Sequence, residues 1–230
     1  MTIQGHPVGR ESTSAGLAER ISRWGDRLVL VVARHWLVFL NLAVAIYLIL
    51  PLSAPVLMHA GLITPGRVIY TLYAPMCHQL PERSFFLFGR QPIYSLRELR
   101  ADGVLDANDG YVIRRHYLGD TNHGYKVAFC ERDTAIYASI LMAGILFACL
   151  RRRLRPLPLK WFFILLIPMA LDGGTQLVGL RESSWWLRVL TGSLFGIASV
   201  WLAYPYVESA MRDVVQETAA RQVRRAQRTH

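Results

Sequence analysis

Four long apolar stretches dominate this sequence and limit the folds open to it. A helix needs roughly 20 mostly apolar residues to cross the hydrocarbon core of a bilayer. Stretches of that kind lie at 36–58, 128–150, 161–180 and 185–206. In the second stretch the charge-free part is short, so we expect this span to begin inside the segment Cys130–Asp133. The sequence therefore predicts an all-α polytopic membrane protein with four transmembrane helices.

The charges of the chain are distributed as membrane topology requires. The chain has 26 Lys and Arg against 16 Asp and Glu, a net charge of +10, although only 18% of its residues are charged. The connection 151–160 carries five basic residues and no acidic one, and short loops rich in Lys and Arg lie on the cytoplasmic side of a membrane. Four spans then place both termini in the cytoplasm. Because the excess charge follows topology, the predicted partner is the lipid bilayer and not a nucleic acid.

Two segments flank the predicted membrane domain, 36–206. Residues 1–35 include an apolar stripe at helical spacing and are predicted to form an amphipathic helix in the cytoplasmic interface. Residues 207–230 are predicted to form a basic cytoplasmic tail. The predicted location is the bacterial cytoplasmic (inner) membrane, with a multi-pass topology.

An outer segment, 62–127, joins the first two predicted spans. Its apolar run Val68–Met76 is too short to cross a bilayer and is predicted to be interfacial or re-entrant. The rest has ordinary soluble composition with turn signals. We expect it to form a small outer cap with a short helix near Ser95–Arg100 and a hairpin.

Four side chains with metal-ligand chemistry are expected at the outer face. Cys77 and His78 follow the short apolar run, and Cys130 and Asp133 lie at the outer mouth of the second span. Two thiolates, an imidazole and a carboxylate form a reasonable tetrahedral set for zinc or another transition metal. A disulfide between Cys77 and Cys130 is the alternative, because the outer compartment is oxidising. Free thiols are a third possibility.

Four further polar residues are candidates for a catalytic or binding role near the same face. They are Asp172, Gln176, Arg181 and Arg188. Ionisable residues inside spans are costly and tend to be paired and functional. One interpretation is an ion pair between Asp172 and Arg188 with Gln176 hydrogen-bonded nearby. The other makes Asp172 a general base or ligand-binding carboxylate, with Arg181 and Arg188 holding an anionic headgroup or phosphate.

Three strings of residues resemble the signature of DUF2085, a family of uncharacterised bacterial integral membrane proteins. Cys77–Phe86 reads CHQLPERSFF, which is similar to the family string C-H-Q-x-P-E-R-S-F. Cys130–Tyr137 is similar to C-x-R-C-x-G-I-Y, with Asp133 where the family has its second Cys, and Asp172–Ser183 is similar to D-G-x-x-Q-x-x-G-x-R-x-S. The resemblance implies a membrane location and no established activity.

Two functions are predicted from these features. The first is an accessory or structural subunit of a larger membrane complex, with other membrane proteins as partners. It is indicated by the modest number of spans and by the motif Gly192–Gly196, a G-x-x-x-G face for the third span or another subunit. The alternative is a small membrane-embedded enzyme or metalloprotein that acts on an anionic lipid-like or isoprenoid substrate at the outer leaflet. The sequence leaves open whether the chain is an enzyme.

Overall fold

The computed structural model describes residues 9–151 and 153–228, with side chains described at 20–151, 153–225 and 227. Helices dominate these residues, and a small antiparallel sheet lies in the predicted outer segment. The α-helices are α1 (Gly9–His59), α2 (Ile63–Tyr73), α3 (Leu96–Ala101), α4 (Tyr111–His116), α5 (Glu131–Leu150), α6 (Leu159–Leu177) and α7 (Trp185–Arg228). A 3-10 turn covers Pro81–Arg83, and the strands are β1 (Phe86–Leu87), β2 (Gly119–Asp120) and β3 (Gly124–Lys126).

Three helices in the described part of the chain are long and apolar enough to cross a membrane. These segments are Arg20–His59 of α1, the whole of α5, and Trp185–Arg225 of α7. Helix α5 begins inside the segment Cys130–Asp133, as expected. The predicted third span coincides in position with α6, which is not among the three. Helix α6 includes polar and charged side chains at both ends, which lower its mean hydropathy, so the fourth span stays a prediction.

The predicted outer segment contains both helices and strands. The short helix expected near Ser95 is α3, where the Ser95 hydroxyl accepts from the Glu98 N–H at 3.2 Å and the Glu98 carboxylate accepts from the Ser95 N–H at 2.7 Å. The expected hairpin is β2–β3, and β1 pairs with the other edge of β3. The fold is therefore mostly helical with a three-stranded sheet, and the all-α prediction was wrong in this detail.

The segment that leads into α5 is hydrogen-bonded to α1, at a carbonyl that a proline leaves without a partner inside the helix. Pro55 has no N–H, so the Pro51 carbonyl, four residues earlier, has no partner within the helix. The Ala128 N–H donates to that carbonyl at 3.2 Å, and the neighbouring Val127 N–H donates to the Phe85 carbonyl at 2.7 Å. These two bonds place the residues just before α5 against α1 and the end of the 3-10 turn.

Two glycines bring α7 close to α5. A Cβ atom at Gly196 would lie 2.1 Å from Ser139 Oγ and 2.6 Å from the Ile136 carbonyl, and one at Gly192 would lie 2.8 Å from the Arg132 carbonyl. Only glycine permits this approach. The partner of the G-x-x-x-G face is therefore α5, the second predicted span, and the expectation of the third span or another subunit was wrong.

By contacts, the chain divides into two units, Leu40–Pro205 and the two terminal parts up to Phe39 and from Tyr206 onward. Within the terminal unit, Trp36 Nε1 donates to Glu208 Oε2 at 2.9 Å, and Arg225 pairs with Asp26 at 2.9 Å. The described part of the predicted amphipathic stripe is exposed in the isolated chain, at Ile21, Trp24, Leu28 and Val31. Its location in the membrane interface stays a prediction, and Leu17 lies outside the described side chains.

Candidate metal centre

The N-terminus of α5 presents two of the predicted ligands on one side. Cys130 is the N-cap residue of the helix, and its Sγ accepts from the Asp133 N–H at 3.4 Å. A residue at the N-cap and one three positions later face each other across the first helical turn. The partial positive charge of the helix N-terminus favours negative charge on both side chains. The Cys130–Asp133 spacing therefore builds a rigid pair of donor groups.

Cys77 completes a cluster of three donor groups. The Cys130 N–H donates to Cys77 Sγ at 3.1 Å, across 53 residues of chain. One ligand atom each of Cys77, Cys130 and Asp133 lies within 4.8 Å of the other two. Both cysteines are buried and are free thiols, and Asp133 is half-buried. The structure thus brings together three of the four predicted ligands, and we call this three-residue cluster the candidate metal centre, or metal centre for short.

The fourth predicted ligand, His78, directly follows Cys77 but is not one of the three residues whose ligand atoms lie within 4.8 Å of one another. Its Nδ1 accepts from the Leu80 N–H at 3.2 Å, which leaves Nε2 as the ring nitrogen open to other partners. His78 is therefore outside the three-residue cluster, with its Nε2 open to a further partner.

A strained turn follows the first two predicted ligands, Cys77 and His78, and is held by the buried amine of Lys126. Gln79 has a φ of +50°, which is unusual for a residue other than glycine. Its side-chain amide donates to the Tyr70 carbonyl at 2.9 Å, and its own carbonyl accepts from Lys126 Nζ at 2.6 Å. Lys126 also donates to the Arg115 carbonyl at 2.7 Å, and its burial lowers its pKa to about 7. These bonds orient the chain that follows Cys77.

Aromatic rings surround the two cysteines. Tyr73 and Phe129 share one buried cluster with them, with ring centroids 5.0 Å apart in an edge-to-face arrangement. Tyr47 and Tyr137 pack against that cluster, with centroids 4.7 Å apart. A hydrophobic shell of this kind restricts solvent access to a metal site and tunes its chemistry.

Asp172 lies beside the entry to α5 but has other partners than predicted. It is 1% exposed, accepts a short hydrogen bond from Arg132 Nη2, and pairs with Arg181 Nη2 at 2.8 Å. The predicted pair with Arg188 was wrong, while Arg181 was correctly placed near Asp172. The physical reason is that Arg132 faces α6 from the first turn of α5, and it therefore takes the position that the sequence suggested for Arg188.

Arg188 pairs with Glu131, a residue that sequence reasoning did not single out. Arg188 Nη1 donates to Glu131 Oε2 at 2.7 Å, and Arg188 also donates to the Ser183 carbonyl. Both side chains are buried, and Glu131 Oε1 and Arg188 Nε have no hydrogen-bond partner among the described residues. The pair ties the start of α5 to the first turn of α7.

Gln176, which lies one helical turn after Asp172 on α6, contacts the 3-10 turn Pro81–Arg83. With its amide oxygen toward Arg83, it accepts from Arg83 Nε at 3.0 Å. Burial, and then the nearby charge of Arg188, lower the pKa of Arg83. Gln176 is therefore bound to an arginine that lies five residues after His78, and not to Asp172.

Sequence reasoning missed three charged residues in particular. Glu131 and Arg132 lie inside the quoted string Cys130–Tyr137, and Lys126 lies just before it. The available signal was the placement of two charges at the very mouth of an apolar span, where ionisable groups need partners. No sequence pattern marks Lys126 as fully buried.

Comparisons with known proteins agree with the resemblance described from the sequence. The family described as "Predicted membrane protein (DUF2085)" matches residues 121–202, a range that includes the second and third strings but not Cys77–Phe86. The chain is 33% identical over 139 residues to the uncharacterized protein MJ1492 of Methanocaldococcus jannaschii, covering 60% of this chain and 67% of that protein. No solved structure matches the chain.

Proposed function

Since the chain belongs to the DUF2085 family of predicted membrane proteins, we propose that it is a four-span membrane protein whose metal centre holds a zinc ion. The observation that carries the proposal is the convergence of three donor atoms, from Cys77, Cys130 and Asp133, within 4.8 Å. Cys77 and Cys130 are 53 positions apart in the sequence, so the fold and not the local chain brings them together.

Helix α6 is the proposed fourth span because its exposed surface is apolar. The side chains that face outward include Phe163, Ile164, Ile167 and Leu171, whereas Asp172 faces the protein. Intramembrane carboxylates are expected to face the bundle interior in this way. Together with the basic connection 151–160, four spans place both termini in the cytoplasm of the proposed cytoplasmic membrane. A bacterial source for this chain stays a prediction.

Reporter fusions test this topology. A fluorescent protein that folds only in the cytoplasm is attached to one end of the full chain and, in a second fusion, to the other. Four spans with both ends inside predict that both fusions fluoresce. Three spans place the ends on opposite sides, so one dark fusion would refute the proposal.

Zinc fits the donor set for chemical reasons. Thiolate ligands select soft or borderline metals such as zinc, and zinc also accepts carboxylate and imidazole ligands in a tetrahedral site. Cys77, Cys130 and Asp133 are the first three proposed ligands. His78 Nε2 is the proposed fourth ligand, because His78 directly follows Cys77 and its Nδ1 is already bonded to the backbone, which leaves Nε2 open.

Metal analysis of the purified protein tests the assignment directly. Protein prepared in detergent under reducing conditions, and then exposed to zinc, should retain one zinc per chain. Cys77→Ser and Cys130→Ser should each lose it. Cys149→Ser is the matched control, because Cys149 is an exposed thiol at the opposite end of α5, and it should retain the metal. A metal-free wild type whose Cys77 and Cys130 are joined in a non-reducing digest would establish the disulfide alternative instead.

Asp133→Cys is a second test, because it restores the cysteine of the family string. A third thiolate should tighten zinc binding by about tenfold or more, which corresponds to about 1.4 kcal/mol or more of binding free energy. Competition with a chromogenic chelator measures the change. If Asp133→Cys and Asp133→Asn both bind zinc as the wild type does, Asp133 is not a ligand.

The broader roles predicted from the sequence stay predictions. Gly192 and Gly196, which indicated a partner subunit, pack against α5 within the chain. Action on an anionic lipid-like or isoprenoid substrate would require a site beside the metal centre, and the Arg188–Glu131 pair lines a neighbouring cavity of about 280 Å³. Co-purification of a stable partner at native expression levels would favour the accessory-subunit role.

A further inference from the structure

A second cavity lies between α2 and α4, and its lining shares no residue with the cavity beside the Arg188–Glu131 pair. Its volume is about 540 Å³, and it is lined by cationic, hydroxyl and amide side chains. Arg67, Arg115 and His116 are its basic residues, and the described residues that line it include no carboxylate. A cavity with this lining attracts an anion.

The arginine that forms one side of the cavity is held in place with donors to spare. Arg115 Nη2 donates to the Ala74 carbonyl and, at 3.2 Å, to the Cys77 carbonyl. Its Nη1 and Nε groups have no partner among the described residues, and neither Arg115 nor Arg67 is paired with a carboxylate there. A guanidinium that is fixed by backbone carbonyls and still offers N–H groups is well prepared to bind a phosphate oxygen.

The rim of the cavity is apolar on both sides. Helix α2 starts four residues after α1 ends, and α1 contains a candidate membrane span, so we expect α2 to lie at the membrane surface. Val68 and Leu72 of α2 are exposed, and so are Tyr111, Val112 and Ile113 of α4. These exposed apolar side chains flank a cavity lined by arginines. Such an arrangement suits an amphipathic lipid, whose headgroup would lie in the cavity and whose acyl chains would contact the apolar side chains around it.

We propose that this cavity binds the headgroup phosphate of an anionic phospholipid, with Arg67 and Arg115 as the phosphate-binding residues. The phosphate chemistry is shared with inorganic phosphate. The apolar rim commits the site to the lipid. The inference stands on the α2–α4 cavity alone and does not depend on zinc at the metal centre.

Native mass spectrometry of the detergent-purified full chain tests the proposal. The probes are phosphatidylglycerol, phosphatidylcholine of the same acyl chains, and inorganic phosphate. The wild type should bind phosphatidylglycerol in preference to phosphatidylcholine. Arg67→Gln should reduce that preference by about tenfold, the weight of one charge-assisted hydrogen bond, and Arg67→Lys should retain most of it.

The control variant is Arg97→Gln, since Arg97 is an exposed arginine on α3 that does not line the cavity. It should bind phosphatidylglycerol as the wild type does. The proposal is overturned if the wild type shows no preference between the two lipids, or if Arg67→Gln and Arg97→Gln behave alike. Displacement of bound phosphatidylglycerol by an equal concentration of inorganic phosphate would also overturn it, because the site would then recognise phosphate without the lipid. Far-UV circular dichroism confirms that each variant is folded.

Discussion

Glu131→Gln should destabilise the protein strongly, whereas a double replacement of Glu131 and Arg188 should not. The two side chains are 0% and 8% exposed, and their charged atoms lie 2.7 Å apart. Removal of one charge leaves the other buried without compensation, which typically costs about 3–5 kcal/mol. Removal of both charges, as in Glu131→Gln with Arg188→Met, eliminates that penalty, so the double variant should recover most of the lost stability.

The size of the effect follows from burial, and the chain includes a matched comparison. Glu217 and Arg221 form the same type of pair at 2.5 Å on the exposed part of α7, with side chains 65% and 60% exposed. Water and salt screen such a pair, and its coupling is expected to be unmeasurable in 150 mM salt. In contrast, a loss of about 3–5 kcal/mol at the buried pair changes the folding equilibrium by on the order of 100- to 1000-fold or more.

Unfolding by SDS in mixed micelles, followed by far-UV circular dichroism, measures both double-mutant cycles. The coupling energy is the non-additive part of each cycle. A large coupling for Glu131–Arg188 and none for Glu217–Arg221 is the expected result. Equal and small couplings would refute the reasoning, because they would mean that the start of α5 is as solvated as the end of α7.

Gly196→Ala should destabilise the protein, because the added Cβ would lie 2.1 Å from Ser139 Oγ. Gly174→Ala should instead stabilise α6 by about 0.5–1 kcal/mol, because no atom lies within 4 Å of the added Cβ. The same SDS unfolding assay measures both effects. Burial lowers the pKa of Lys126 from 10.5 to about 7, so the unfolded chain binds the Lys126 proton more tightly than the folded chain does. The free energy of unfolding of the wild type, relative to that of Lys126→Met, should therefore rise between pH 7 and about 10. A difference between the two proteins that does not change with pH would contradict the burial of Lys126. Burial lowers the pKa of His123, but hydrogen bonds to two aspartates outweigh it and raise that pKa above 6.5. The stabilisation that protonated His123 gives the folded state should therefore be lost as pH rises through the raised pKa. Unfolding of the wild type and of His123→Gln over a series of pH values measures this loss.

The helices were predictable because their signals are local. The apolar stretch 128–150 corresponds to α5, and its start inside Cys130–Asp133 was expected from the length that a span requires. Apolar length does not show where a helix stops, since polar residues continue a helix as readily. Helix α1 therefore continues through the predicted boundary at residue 35 without a break, and α7 continues past residue 206.

The candidate metal centre was predictable in composition but not in geometry. Residue types and topology indicated Cys77, Cys130 and Asp133, because all three were expected at one membrane face. Their approach depends on contacts that no local pattern reveals. One is the Pro51 carbonyl, which accepts from Ala128, and another is the buried amine of Lys126, which fixes the turn after His78.

The sequence by itself determined the membrane class, the position of the long helices and the residue types at the candidate site. These properties depend on the length and spacing of apolar residues, which are set by the chain alone. Only the tertiary structure decided which charge meets which. Glu131 and Arg132 are consecutive, but successive residues of an α-helix point about 100° apart, so one faces Arg188 on α7 and the other faces Asp172 on α6. That difference of one helical step separates the observed pairs from the pair that the sequence suggested.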